Sequence, residues 1–155
     1  MAVQQLKTYD LDEVYCVIGP VGDVAAVRID GYSGDGGIEF DVQSDLGSLT
    51  IGNDGLPVFS RNHDESVIMT ISLSEMAKTT RRMGELLEAQ RDQSPIQACP
   101  VFMKDTVNGD QIEEEFGIFR NVPGPTKQGE ASAREFDVIL PNAREQIQLA
   151  PDINV

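Results

Sequence analysis

IEFDVQSDLGSLTIGNDGLPVFSRNHDESVIMTISL, residues 38–73, decides the architecture. At its start Ile38, Phe40 and Val42 alternate with Glu39, Asp41 and Gln43, which is the period of a strand with one apolar and one polar face. At its end Val67, Met69, Ile71 and Leu73 alternate with Ser66, Thr70 and Ser72, interrupted only by Ile68. Two half-buried strands therefore flank residues 44–64. That excursion is too long for an ordinary hairpin loop and too patterned for a disordered one. Its short apolar runs, 49–51 and 56–59, are separated by Gly52-Asn53-Asp54-Gly55, whose Asn-Asp-Gly core suits a turn with positive φ. The pattern predicts an extended hairpin arm carrying Leu49, Ile51, Leu56, Val58 and Phe59 away from the body. Exposed apolar surface of that kind marks a docking site, here expected on another subunit.

Outward from this stretch the chain reads as mainly β with one helix, in a single domain over residues 1–155. Residues 1–12 are a polar lead-in. Residues 14–18 form a buried strand ended by Gly19-Pro20, and residues 24–30 a second strand with Arg28 and Asp30 opposite Val27 and Ile29. Residues 31–37 are a glycine-rich connector without the ligand order of a calcium loop. The helix is expected over 74–91, with Ser74 as N-cap, Glu75 at the positive end of the macrodipole, and Met76, Thr80, Met83 and Leu87 as the buried stripe. Gly84 costs it about 1 kcal/mol relative to Ala, which points either to close packing or to marginal local stability. Lys78, Arg81 and Arg82 form its exposed basic cluster, either a solvated face or a docking patch. Strands at 99–104 and 114–121 flank the turn Val107-Asn108-Gly109-Asp110. Glu113, Glu114 and Glu115 repel one another and are expected outside the core. Residues 133–140 are the last strand, with Phe136, Val138 and Leu140 on its apolar face, and residues 142–155 are a tail lying along a neighbouring surface.

Composition narrows the function. The 155 residues carry a formal charge of −14, which argues against binding nucleic acid by phosphate neutralisation. It leaves open the handling of DNA by repulsion. Cys16 and Cys99 stand without a CxxC spacing and read as reduced, buried thiols, not metal ligands. The single histidine, His63, lies among Asn62, Asp64 and Glu65, but neighbouring residues of a strand point in opposite directions and do not converge on a metal or a proton. Nucleophile elbows and phosphate loops are absent. The expectation is a protein that is not an enzyme and has no catalytic, cofactor or metal site. The opening residues lack a signal-peptide pattern and no apolar run is long enough to span a bilayer, so neither export by that route nor a membrane segment is expected.

The order of elements, with Thr50-Ile51-Gly52-Asn53-Asp54-Gly55 in the arm and Ser66-Val67-Ile68-Met69-Thr70-Ile71 after it, resembles the tail tube proteins of contractile-tailed bacteriophages. The resemblance implies a β-sandwich or split β-barrel with one flanking helix, six copies closing into a ring, and rings stacking into the inner tube through which the genome is ejected. It implies as partners the chain itself, a tail sheath, a baseplate and a tape-measure protein, with DNA passing unbound. It implies a place in the virion after assembly in the host cytoplasm. Tailocin and type VI secretion tubes share that layout, and a non-assembling β-sandwich binding module is the other alternative. Within this picture Glu39, Asp41 and Gln43 face the lumen, where negative walls repel phosphates. Leu49, Ile51, Leu56, Val58 and Phe59 bridge to the next ring, and Lys78, Arg81 and Arg82 face the sheath.

Overall fold

One strand carries the two halves of the sheet. The computed structural model describes residues 14–33, 37–106, 109–125, 127–130 and 132–147. In chain order the elements are β1 (Val14–Ile18), β2 (Val27–Arg28), β3 (Ile38–Val42), β4 (Gly47–Ile51), β5 (Pro57–Arg61), β6 (Val67–Ser74), α1 (Lys78–Asp92), β7 (Cys99–Asp105), β8 (Gln111–Phe119), β9 (Ala133–Leu140) and α2 (Arg144–Ile147). The main sheet has the order β2-β1-β7-β8-β9-β6-β3, with every pairing antiparallel, while among the described residues β4 and β5 pair only with each other. The fold is mainly β, and the sheet does not close into a barrel.

β8 joins the halves because its two ends serve different neighbours. Its first part pairs with β7, Ile112 opposite Met103 and Glu114 opposite Val101, whereas Ile118 and Phe119 pair with Ile139 and Val138 of β9. Between them the register slips: Val101 faces Glu114 but Cys99 faces Gly117. The burial alternation stumbles at the same place, with Glu115 and Phe116 both exposed. A bulge of this kind bends a strand and frees backbone groups. Those groups are met by two buried side chains. Gln90 of α1 donates through Nε2 to the Gly117 carbonyl at 3.1 Å and accepts at Oε1 from the Phe119 N–H at 2.8 Å. Glu114 accepts from the Phe116 N–H at 3.1 Å and the Asn142 N–H at 2.9 Å.

Glu114 thus corrects the expectation for the Glu113–115 run. It is only 4 % exposed, while Glu113 and Glu115 face water. Two backbone donors compensate the burial that repulsion alone seemed to forbid.

The apolar faces of both halves meet in one core that includes Cys16, Ile18, Met69, Ile71, Val101 and Phe136. Met83, Leu86 and Leu87 place α1 on this core, where the helix packs against β2, β6 and β8. The helix begins later than its sequence suggests. Ser74 still pairs with Ala133 and donates its N–H to the Gly31 carbonyl at 2.9 Å, so β6 claims the residue expected as N-cap. Ala77 stands at the N-cap in extended conformation without a side-chain cap. Met76 is 83 % exposed and outside the buried stripe, which consists of Thr79, Thr80, Met83, Leu86, Leu87 and Gln90. Glu75 turns away from the helix to Lys127 and Arg134, both at 3.1 Å, and to Ser132 at 2.9 Å.

The strand expected over 24–30 shortens to Val27–Arg28, since only this pair finds register with Ile18 and Val17. The alternation nonetheless holds, with Val27 and Ile29 buried and Arg28 and Asp30 exposed. The lead-in, the centre of the glycine connector, Val107, Asn108 and residues 148–155 lie outside the described residues.

Two glycines respond oppositely to a methyl group. A Cβ on Gly117 would sit 2.3 Å from the Cys99 carbonyl oxygen, whereas one on Gly84 would meet nothing within 4 Å. Close packing is therefore not the reason for Gly84. Gly84→Ala is expected to raise unfolding stability by about 1 kcal/mol through helix propensity, and Gly117→Ala to lower it by roughly 1–3 kcal/mol through overpacking at the bulge. Urea denaturation of both variants checks the signs.

Candidate functional site: the arm and the acidic face

The arm is a two-stranded ribbon whose register sorts its side chains. Leu49 opposes Phe59, and Ile51 opposes Pro57; on the other face Ser48 opposes Ser60, and Thr50 opposes Val58. Directly opposed residues share a face. One face is therefore largely apolar, made by Leu49, Ile51, Pro57 and Phe59 with the Gly47–Arg61 pair at its root, and the other is hydroxyl-rich with Val58 as its apolar member. Leu56 follows the turn. Leu49 is 62 % and Phe59 59 % exposed, and β5 is exposed along its whole length. Covering these side chains is worth about 1–2 kcal/mol each at their present exposure. Among the described residues no second layer packs on the ribbon.

The tip is closed by Gly52 N–H to the Leu56 carbonyl at 3.0 Å, and by Leu56 N–H to Asp54 Oδ1 at 3.1 Å. Positive φ occurs at Gly55 and not at Asn53 or Asp54, because the Asp54 carboxylate makes the turn from an ordinary backbone conformation. At the root, Asp64 accepts from the Ser44 hydroxyl and, at 3.0 Å, from the Ser66 N–H, while the Asn62 N–H donates to the Leu46 carbonyl at 2.9 Å. These donors, the Ser44 hydroxyl foremost, and the nearby Arg144 charge hold the Asp64 carboxyl down at about 2.

Glu39 and Asp41 are exposed on the sheet face away from the core. Register extends that face inward from the edge: Glu39 opposes Thr70, which opposes Asp137, and Asp41 opposes Ile68, which opposes Ile139. Glu113 opposes Phe102 on the other half. Glu39 and Asp137 are two strands apart, a separation of about 10 Å, near the screening length at physiological salt, so the carboxylates coexist without severe repulsion. The Thr70 hydroxyl further donates to Asp137 Oδ1 at 2.8 Å. Gln43 lies just past β3 and folds back on Asp41, its Nε2 3.2 Å from both the carbonyl oxygen and Oδ2. The face is not uniformly acidic. Tyr15 meets the Phe102 ring edge-on at 6.0 Å between centroids, with Arg28 5.0 Å above the Tyr15 ring.

Lys78, Arg81 and Arg82 are exposed on α1, and Arg81 forms an i,i+4 pair with Glu85 at 3.5 Å. An open groove of about 480 Å³ between α1 and Val122-Pro123 is lined by Arg81 and Arg91 together with Glu75, Glu85 and Glu88. The helix covers the core face of the sheet, so this basic cluster and the acidic face point to different sides of the fold.

No family model matches the chain, and no curated protein matches it.

His63 is exposed, and among the described residues no cluster of three or more His, Cys, Asp or Glu side chains is arranged to hold a metal. Cys16 and Cys99 are buried free thiols, pushed up to about 12 by desolvation. Among the described residues no helix is long and apolar enough to cross a membrane. The functional feature that sequence reading missed is Arg144, which reaches the arm's root from α2 and has no local signal.

The Asp64 carboxylate is depressed from its ordinary value of 3.8. Its contribution to the root is therefore fully present above that value and is lost as pH falls toward about 2. Ser44→Ala is expected to move the Asp64 titration midpoint upward, as read from its carboxyl carbon resonance. An unchanged midpoint would exclude Ser44 as the main donor.

Proposed function

We propose that this chain is a structural subunit of a contractile phage tail, assembling into stacked hexameric rings that form the inner tube for DNA ejection. The observation that carries the reading is the arm: a ribbon with an exposed apolar face that the described residues leave uncovered and that another molecule would cover. A second copy supplies it in every ring of a stack, and head-to-tail contacts of this kind propagate as filaments. The acidic sheet face suits a wall past which phosphates slide without adhering. The basic cluster on α1, on another side of the fold, suits a sheath surrounding the tube. The baseplate and tape-measure protein are the remaining partners in this reading, which assigns the chain no catalysis and no cofactor. The subunit is assembled in the host cytoplasm and resides in the virion.

Removing residues 52–57 while keeping a short turn is expected to leave a folded protein that no longer stacks. Negative-stain microscopy of concentrated protein checks it, and long tubes from the shortened chain would overturn the role of the arm. If the unaltered chain stays a 16.9 kDa monomer at all concentrations and under nucleation by tail components, a binding module replaces the tube.

Glu39→Lys combined with Asp41→Lys is expected to permit assembly yet impair DNA passage, since each change reverses a charge on the wall. Infectivity of particles carrying the double variant checks this. Normal infectivity would remove both residues from the lumen.

A further inference from the structure

Arg144 is eighty positions from Asp64 in the sequence and meets it in space. Its Nη1 donates to the Asp64 carbonyl at 2.8 Å, its Nη2 approaches the Asn62 carbonyl at 3.5 Å, and its backbone N–H donates to the Glu65 carbonyl at 3.1 Å. These three acceptors form the returning limb of the arm just before it enters β6. The same short helix is fastened to the body on its other side. Gln146 accepts from the Glu113 N–H at 2.7 Å and donates to the Glu113 carbonyl at 2.8 Å, while Ala143 is fully buried and Ile147 packs against the core. α2 is thus a strut from β8 to the root of the ribbon.

A two-stranded ribbon is marginal by itself, and since no second layer packs on it among the described residues, the contacts where it leaves the body bear on its angle. The root has its own bonds, from Ser44 and Ser66 to Asp64, but these join one limb of the arm to the other and to the start of β6. Arg144 ties the limb to a different part of the sheet.

We propose that α2 is a latch that fixes the angle of the arm, with Arg144 as its bolt and Gln146 as its anchorage. A partner that reorients the arm has to lift the guanidinium from the Asn62 and Asp64 carbonyls. Linkage makes the effect reciprocal: a contact that displaces α2 frees the arm, and a contact that turns the arm loosens α2. The latch is independent of what the arm touches, so it stands or falls apart from the tube reading.

The test is a distance distribution between spin labels on Asn53→Cys at the arm tip and Glu88→Cys on α1, in the full chain. Cys16 and Cys99 are buried, so labelling goes to the introduced thiols. Against the otherwise unaltered chain, Arg144→Ala is expected to broaden the distribution about twofold, as local release of a mobile element does. Gln146→Ala is expected to broaden it too, and Arg144→Lys, which retains charge and one donor group, to restore part of the order. An unchanged width in Arg144→Ala overturns the proposal. So does equal broadening between Glu88→Cys and Lys104→Cys, both on the body, since that would mark general loosening in place of a freed arm.

Discussion

The whole sheet turns on the satisfaction of one bulge. A seven-stranded antiparallel sheet can enclose a core only by bending back on itself, and β8 does so by shedding a residue from register between Val101 and Cys99. At the bulge the Gly117 carbonyl and the Phe116 N–H, and past the end of β7 the Phe119 N–H, turn to side chains for partners. Gln90 and Glu114 supply those partners from opposite directions, one from the helix and one from the strand itself. An unpaired buried backbone group costs about 1–3 kcal/mol, so this corner decides whether both halves of the sheet share one core. Gln90 also explains why a polar residue stands in the buried stripe of α1: it docks the helix at the bend.

The features legible in sequence were those governed by local period. Alternation in residues 133–140 reproduces β9 with its buried Phe136, Val138 and Leu140, and alternation in 38–43 and 66–73 marks β3 and β6. The ribbon of β4 and β5 was legible because its turn residues and flanking apolar runs are contiguous. Elements set by distant partners were not. Ser74 has the chemistry of a helix cap, yet Ala133 holds it in a strand; Glu114 belongs to an acidic run, yet a bulge and the Asn142 N–H bring it inside. Val58 reads as one of five equivalent apolar residues until its pairing with Thr50 places it on the hydroxyl face. Arg144 carries no pattern at all, since its acceptors are backbone carbonyls far along the chain.

Carboxylates predominate among the exposed charges of the sheet. The exposed side of α1 carries Lys78, Arg81 and Arg82 beside Glu85, Glu88 and Asp92, while the outer surfaces of the two halves of the sheet carry Glu39, Asp41, Glu113, Glu135 and Asp137 beside Arg28 and Lys104.

β3 has one further property, which follows from its place at the end of the strand order. Among the described residues no strand pairs with its outer ladder, and an open flank ordinarily invites any extended peptide to add itself, the first step toward amorphous or fibrillar deposits. Glu39 and Asp41 stand as gatekeepers on that flank. A strand added there would set its own side chains beside these two carboxylates, which disfavours an acidic newcomer and the self-pairing of two such edges.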